Sequence, residues 1–227
     1  MKPVSLTIDG RKIGAAGGEK LLRVARDNDI YIPNLCALPG HEPAACRLCF
    51  VEVAGKEYPV TACTELVTDG MVVDTRGEKA LRLARSALEL IMASHPVDCA
   101  HCASNGTCEL QKIAHHLGVR LKSKRFRKIM RELPVDDSNR RFSYDPNKCV
   151  LCGRCVLVCR EHLGILGFAH RGFERRVTTF GDEPIGDFPC HECGKCVIVC
   201  PTGALVFKKG KETETGVGDD VAAAPSV

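Results

Sequence analysis

The 227-residue sequence contains no tryptophan and only three tyrosines beside eight phenylalanines. A large aromatic core is therefore excluded, and small compact units built from this chain need some further source of stability. Paired carboxylates in a catalytic context, a Ser-His-Asp signature, a Walker loop and a G-x-G-x-x-G turn after a strand are all missing. No catalytic residue and no nucleotide cradle are expected on that ground. Long apolar runs are missing too: the longest, Ala80 to Ser94, is broken by Arg82, Arg85 and Glu89, far short of a membrane span. No apolar leader precedes the first alternating segment, and the fifteen cysteines are odd in number. Both points disfavour a disulfide framework, and a soluble, reducing, cytoplasmic setting is expected.

Cysteine is what the chain has in abundance, and it comes in groups. Between Cys149 and Pro201 stand CVLCGRCVLVC and CHECGKCVIVCP, each with the spacing C-x2-C-x2-C-x3-C. Three thiolates set two residues apart can wrap three corners of a cubane core, while the fourth lies a helical turn away and points elsewhere. The spacing is that of bacterial two-cluster ferredoxins, in which the fourth cysteine serves the other cluster. Cys149, Cys152, Cys155 and Cys200 are thus expected to hold one 4Fe-4S cluster, and Cys190, Cys193, Cys196 and Cys159 a second. Gly153 and Gly194 let these loops turn closely around an inorganic core. Pro201 ends the second short helix, where the first motif has Arg160. Zinc is the competing chemistry for C-x2-C pairs, but it has no use for eight thiols in two interleaved quartets.

At the N-terminus, VSLTID (Val4 to Asp9) alternates with period two, and Asp9-Gly10 marks a hairpin before Arg11 to Ile13. Leu21, Leu22, Val24 and Ala25 predict an amphipathic helix over Glu19 to Asp29. Strands are predicted at Phe50 to Val53, Glu57 to Ala62 and Met71 to Asp74, an arrangement that resembles a β-grasp ferredoxin. Cys36, Cys46, Cys49 and Cys63 lie within it as C-x9-C-x2-C-x13-C, which departs from the plant-type C-x4-C-x2-C spacing. That departure, with the stretches YIPNLCALPG and AACRLCFVEV, resembles the N-terminal module of the large iron-sulfur subunit of NADH:quinone oxidoreductase, of multi-cluster iron-only hydrogenases and of related formate dehydrogenases. The resemblance implies a 2Fe-2S cluster on those four cysteines.

A helix is predicted over Glu78 to Ser94, with Leu81, Ala84, Leu88 and Ile91 on one face. It leads into His95, Cys99, Cys102 and Cys108, spaced H-x3-C-x2-C-x5-C. Three cysteines leave one coordination position vacant, and both His95 and His101 are near. The arrangement looks like the histidine-ligated 4Fe-4S site of the same family, which implies His95. The other histidines, His41, His101, His115, His116, His162, His170 and His191, receive no role. A further helix is predicted from Cys108 to Leu117, stopped by Gly118. Residues 119–131, VRLKSKRFRKIMR, are strongly basic. No nucleic-acid motif accompanies them, so anionic clusters or an acidic partner surface is the expected counterpart. Strands are predicted at Arg141 to Tyr144 and Ala204 to Phe207. Between the two ferredoxin motifs, residues 160–189 read as a loop-rich insertion with one strand near Arg176 to Thr179.

These readings give an α+β chain: a β-grasp 2Fe-2S module over 1–77, a small helical 4Fe-4S module with one histidine and three cysteine ligands, plus linker, over 78–140, and a two-cluster 4Fe-4S ferredoxin-like domain over 141–209. A polar tail, 210–227, is expected to be disordered. Fifteen cysteines with His95 make four sets of four donors, leaving no thiol over as a nucleophile. The family resemblance runs over about residues 1 to 208, and in size the chain is similar to the small diaphorase subunit of NAD-reducing hydrogenases and like subunits of formate dehydrogenase and acyl-CoA reductase complexes. It implies an electron-transfer subunit with one 2Fe-2S and three 4Fe-4S clusters, placed between a flavin- and NAD(P)H-binding subunit and a catalytic oxidoreductase subunit. A ferredoxin is a further candidate partner; nucleic acid and a membrane span are not expected. The contrasting reading is a zinc-binding regulatory or interaction module.

Overall fold

A computed structural model describes residues 2–211, so most of the tail for which the sequence predicts disorder lies outside the described residues. The chain divides into two compact units: residues up to Arg131 together with Val150–Gly153, and Glu132–Cys149 together with residues from Arg154 onward.

In the first unit, β1 (Pro3–Ile8) and β2 (Arg11–Ala16) pair antiparallel. Asp9 and Gly10 both take positive φ, 49° and 81°, the geometry that matches a two-residue turn to the twist of its strands. β1 also pairs in parallel with β5 (Val72–Asp74), and β3 (Phe50–Val53) pairs antiparallel with both β5 and β4 (Val60–Thr61). The sheet order is β2-β1-β5-β3-β4. Alternation puts Leu6, Ile8, Ile13, Val51 and Val73 in one core, against which α1 (Leu21–Asp27) buries Leu21, Leu22, Val24 and Ala25. Each such aliphatic side chain contributes roughly 1.5–3 kcal/mol on burial.

Two helices complete this unit. α2 (Glu78–Ala93) buries Ala80, Ala84, Leu88 and Met92, and α3 (Glu109–Leu117) buries Leu110, Ile113, Ala114 and Leu117; the spacing of three and four residues gives each helix one apolar face. α2 starts where its sequence offers no capping side chain, and Glu52 of β3 supplies one: its Oε1 accepts from the amides of Lys79 (2.8 Å) and Ala80 (3.2 Å). A carboxylate there also complements the helix dipole. Glu52→Ala is expected to cost about 1 kcal/mol, seen as a lower midpoint in thermal unfolding, while Glu52→Gln, which keeps an acceptor, should lose less.

The second unit has little regular structure. β6 (Phe142–Tyr144) pairs antiparallel with β9 (Leu205–Phe207), and β7 (Gly167–Ala169) pairs antiparallel with β8 (Arg176–Thr178). Two short helices, α4 (Arg154–Arg160) and α5 (Lys195–Ile198), carry the later cysteines of the two motifs. The Tyr144 hydroxyl donates to the Val177 carbonyl at 2.9 Å, tying the two ladders together. Among the described residues, no helix is long and apolar enough to cross a membrane.

Candidate iron-sulfur sites

The first group of thiols sits in the loops around β3. Cys36, Cys49 and Cys63 are each 1% exposed, and the Cys36 and Cys46 sulfurs are 3.5 Å apart. Cys49 and Cys63 are likewise hydrogen-bonded partners. Sharing a proton with Cys36, then burial, pushes the Cys46 thiol up; sharing one with Cys63, then burial, pushes Cys49 up. The Cys49 hydrogen bond draws Cys63 down to about 7. Thiols crowded in this way favour a ligand that accepts them as thiolates. Backbone amides are already aimed at the sulfur: the Leu35 N–H lies 3.4 Å from Cys46 Sγ, and those of Leu48 and Cys63 bond Cys46 and Cys49.

In the second group, His95 follows α2, Cys99 opens a 3-10 turn that Cys102 follows, and Cys108 is the residue just before α3. Burial raises the Cys108 thiol, while the amides of Gln111 and Leu110, the first turn of α3, lower it; Cys102 and Cys99 are close enough to raise it further by charge. The two candidate histidines differ sharply. The His95 Nδ1 atom is closed off from solvent, whereas His101 is exposed and its Nδ1 is held by both carboxylate oxygens of Asp98, at 2.9 and 3.0 Å.

The antiparallel pairing of Tyr144 with Leu205 brings the chain after β6 to the chain before β9, and so Cys149 towards Cys200. Thr202 secures the approach: its hydroxyl donates to the Lys148 carbonyl at 3.1 Å, while its own carbonyl accepts from the Cys200 thiol at 3.1 Å. Cys152 and Cys155 are each 8% exposed. Across the same unit, Cys159 from the end of α4 meets Cys190, Cys193 and Cys196 around a single apolar cavity closed by Phe142, Leu166 and Ile185. Burial, then the charges of its three sulfur neighbours, pushes Cys196 up to about 12, and Cys190 rises chiefly through burial as well. Amides of Leu166, Glu192 and Val197 point at Cys159, Cys190 and Cys196.

The cysteine loops turn through left-handed backbone at matching positions. Leu151 and Gly153 (φ 56° and 83°) in the first ferredoxin motif correspond to Glu192 and Gly194 (52° and 72°) in the second, and Arg47 (55°) turns the loop between Cys46 and Cys49. Such conformations are costly for residues with a side chain. They are repaid where successive N–H groups must face a common anion. The glycines were readable from the sequence; Arg47, Leu151 and Glu192 were not, because nothing in their residue type favours this backbone.

Arg141 is a second residue that the spacing of motifs did not reveal. It is 3% exposed; its guanidinium donates to the Glu192 carbonyl and lies 5.1 Å from the centre of the Phe207 ring. That ring in turn leaves no room for a side chain at Gly194, whose Cβ would come within 2.8 Å of it. Arg141 thereby fixes the Cys190–Cys196 loop from behind. Arg141→Met is expected to destabilise the second unit by about 2 kcal/mol, the scale of a lost hydrogen bond to a charged group. Its specific signature should be faster loss of iron from the Cys159, Cys190, Cys193 and Cys196 site than from the others, followed by visible absorbance under an anaerobic chelator.

Among the described residues, no three His, Cys, Asp or Glu side chains close on one point as ligands of a single metal ion would.

Comparison with known proteins identifies iron-sulfur domains along the chain. Residues 1–78 match a 2Fe-2S iron-sulfur cluster binding domain, residues 85–122 the NADH-ubiquinone oxidoreductase-G iron-sulfur binding region, and residues 141–164 a 4Fe-4S binding domain. The NADP-reducing hydrogenase subunit HndD of Solidesulfovibrio fructosivorans is 36% identical over 91% of this chain and 36% of its own length. Over most of its own length the chain is similar to subunits of hydrogenases and of NADH-quinone oxidoreductases. The NADPH-Fe(3+) oxidoreductase subunit alpha of Geobacter sulfurreducens is 38% identical over 92% of this chain but 24% of its own length. The chain thus spans about a quarter to a third of the length of these curated relatives. A chain of the NAD+-reducing [NiFe]-hydrogenase in its H2-reduced state matches over 92% of this chain and 89% of its own length, with TM-score 0.83 and 29% identity.

Proposed function

We propose that this chain is an electron-transfer subunit that carries one 2Fe-2S and three 4Fe-4S clusters and relays single electrons between a flavin- and NAD(P)H-binding partner and a separate catalytic subunit. The donor sets are Cys36, Cys46, Cys49 and Cys63 for the 2Fe-2S cluster; His95, Cys99, Cys102 and Cys108; Cys149, Cys152, Cys155 and Cys200; and Cys190, Cys193, Cys196 and Cys159. The observation that carries the reading is the last of these, since four thiols from two distant motifs line one apolar cavity in the crossed order that a two-cluster ferredoxin requires.

The clusters supply one-electron chemistry when bound. The chain's own residues do the rest. Four thiolates would hold each core but one, and three thiolates with the His95 imidazole would hold that one. Amides in the left-handed loops offer hydrogen bonds to sulfur, which stabilise the more negative, reduced form. Leu35, Leu48, Leu110 and Ile113 form one apolar cluster that also takes in Cys36 and Cys108, so that ligands of two proposed centres share a dry surrounding. His95, neutral where the other ligands are anionic, lowers the negative charge of its cluster and raises that potential relative to an all-cysteine site.

Metal analysis of anaerobically purified protein tests the cofactor assignment. About fourteen irons with matching acid-labile sulfide per chain are expected; stoichiometric zinc in a colourless protein would establish the regulatory-module reading instead. The relay itself is tested by removing this chain from the native complex, where undiminished electron flow between the partners would refute it.

A further inference from the structure

After Gly118 the chain of the first unit turns back along α2, and its side chains alternate. Val119 and Leu121 pack against the core shared by α2 and α3, and the Ser123 hydroxyl donates to Glu89 Oε1 at 2.7 Å. Arg120, Lys122 and Lys124 are exposed. Arg125 pins the far end, donating to Glu89 Oε2 at 2.8 Å and Ser86 Oγ at 3.0 Å, and Arg85 holds the near end through the Leu117 carbonyl at 2.8 Å. A groove of about 520 Å³ lies between these residues. It is lined by five cationic side chains and one carboxylate, Glu89, which the loop itself already engages. Arg120, Lys122 and Lys124 form no ion pair with any described residue.

Uncompensated like charge on a pinned loop opposes folding and favours an anionic occupant. No aromatic ring lines the groove, and its sole large apolar side chain is Val119, so nothing is provided to stack a nucleobase. The three cations Arg120, Lys122 and Lys124 instead stand at every second residue of the loop, each exposed, while Val119 and Leu121 between them pack inward. We propose that this strip docks an acidic segment of a partner subunit, a proposal that rests on the electron-transfer reading because that reading supplies the partners.

Zero-length carbodiimide coupling on the purified native complex, read by peptide mass spectrometry, tests it. Lys122 or Lys124 is expected to join to an aspartate or glutamate of a co-purifying subunit. In a second arm, the Arg120→Glu, Lys122→Glu, Lys124→Glu triple variant is expected to bind the complex at least roughly tenfold more weakly at moderate salt, with unchanged iron content and visible absorbance. The neutral Arg120→Gln, Lys122→Gln, Lys124→Gln variant should show a smaller loss in the same direction. Undiminished retention of the triple-glutamate variant overturns the proposal, as does protection of the lysines from acetylation by inorganic pyrophosphate with no coupling to a subunit. An intact complex with uncoupled lysines would defeat the strip alone; an iron-replete chain with no co-purifying subunit would defeat the relay as well.

Discussion

Replacing Cys159 with serine is expected to eliminate the cluster of Cys190, Cys193 and Cys196 while sparing that of Cys149, Cys152 and Cys155, the three cysteines nearest to it in the first motif. A serine hydroxyl is far too weak an acid to offer the anion that iron takes from a thiolate at neutral pH. In the folded chain Cys159 faces the cavity of the later motif, not the core wrapped by its own. Cys200→Ser should give the reciprocal result and remove the cluster of Cys149, Cys152 and Cys155. Each variant should lose about four irons and one paramagnetic signal on full reduction, and electron flow through the complex should fall to background, because a relay with one centre removed leaves a gap in series. If Cys159→Ser instead abolished the cluster of its own motif, the donors would be sequential and the crossed assignment wrong.

How much of this was visible in the sequence follows from what constrains each feature. Ligand spacing is a local geometric demand, so the two ferredoxin-like motifs are named from residue type and interval and the other two candidate sets from their resemblance, while the strand at Phe50–Val53 could be read from period-two alternation. The predicted strand over Glu57 to Ala62 shrinks to Val60–Thr61: the Lys56 amide closes a turn onto the Val53 carbonyl at 3.0 Å and its ammonium pairs with Glu65 at 2.6 Å, which takes the preceding residues out of the ladder. The hairpin partner Gly167–Ala169 was missed because three residues including glycine carry little strand propensity; its pairing with β8 is what makes it a strand. Arg141 illustrates the other limit. An arginine at the start of a short strand reads as solvent-facing, and only the long-range closure of Phe207 and Glu192 around it explains its burial. Legible features are those enforced within a few residues, and the hidden ones depend on contacts between segments far apart in the chain.

Stripping iron anaerobically is expected to unfold the second unit while the five-stranded sheet of the first persists. The two units differ in what their cores are made of. Around that sheet, Leu6, Ile8, Leu21, Leu22, Val24, Val51 and Val73 pack without help from any ligand, and Cys49 and Cys63 are minor members. In the second unit Cys155 and Cys196 belong to the core itself, and Cys149, Cys159, Cys190 and Cys200 pack against it. Among the described residues its regular structure is two two-stranded ladders, two short α-helices and four 3-10 turns, and such ladders are marginal alone in water. Structural metal sites contribute on the order of ten kcal/mol, comparable to the whole stability of an ordinary domain, and thiols left without metal exchange a bonded core for a poorly filled cavity. Amide hydrogen exchange after chelation should therefore show protection lost across β6, β9, α4 and α5 and retained across β1, β3 and β5. Protection that survived in β6 and β9 would mean that the apolar side chains of the second unit suffice to fold it, and the inorganic cores would then serve electron transfer without also serving as its centre of packing.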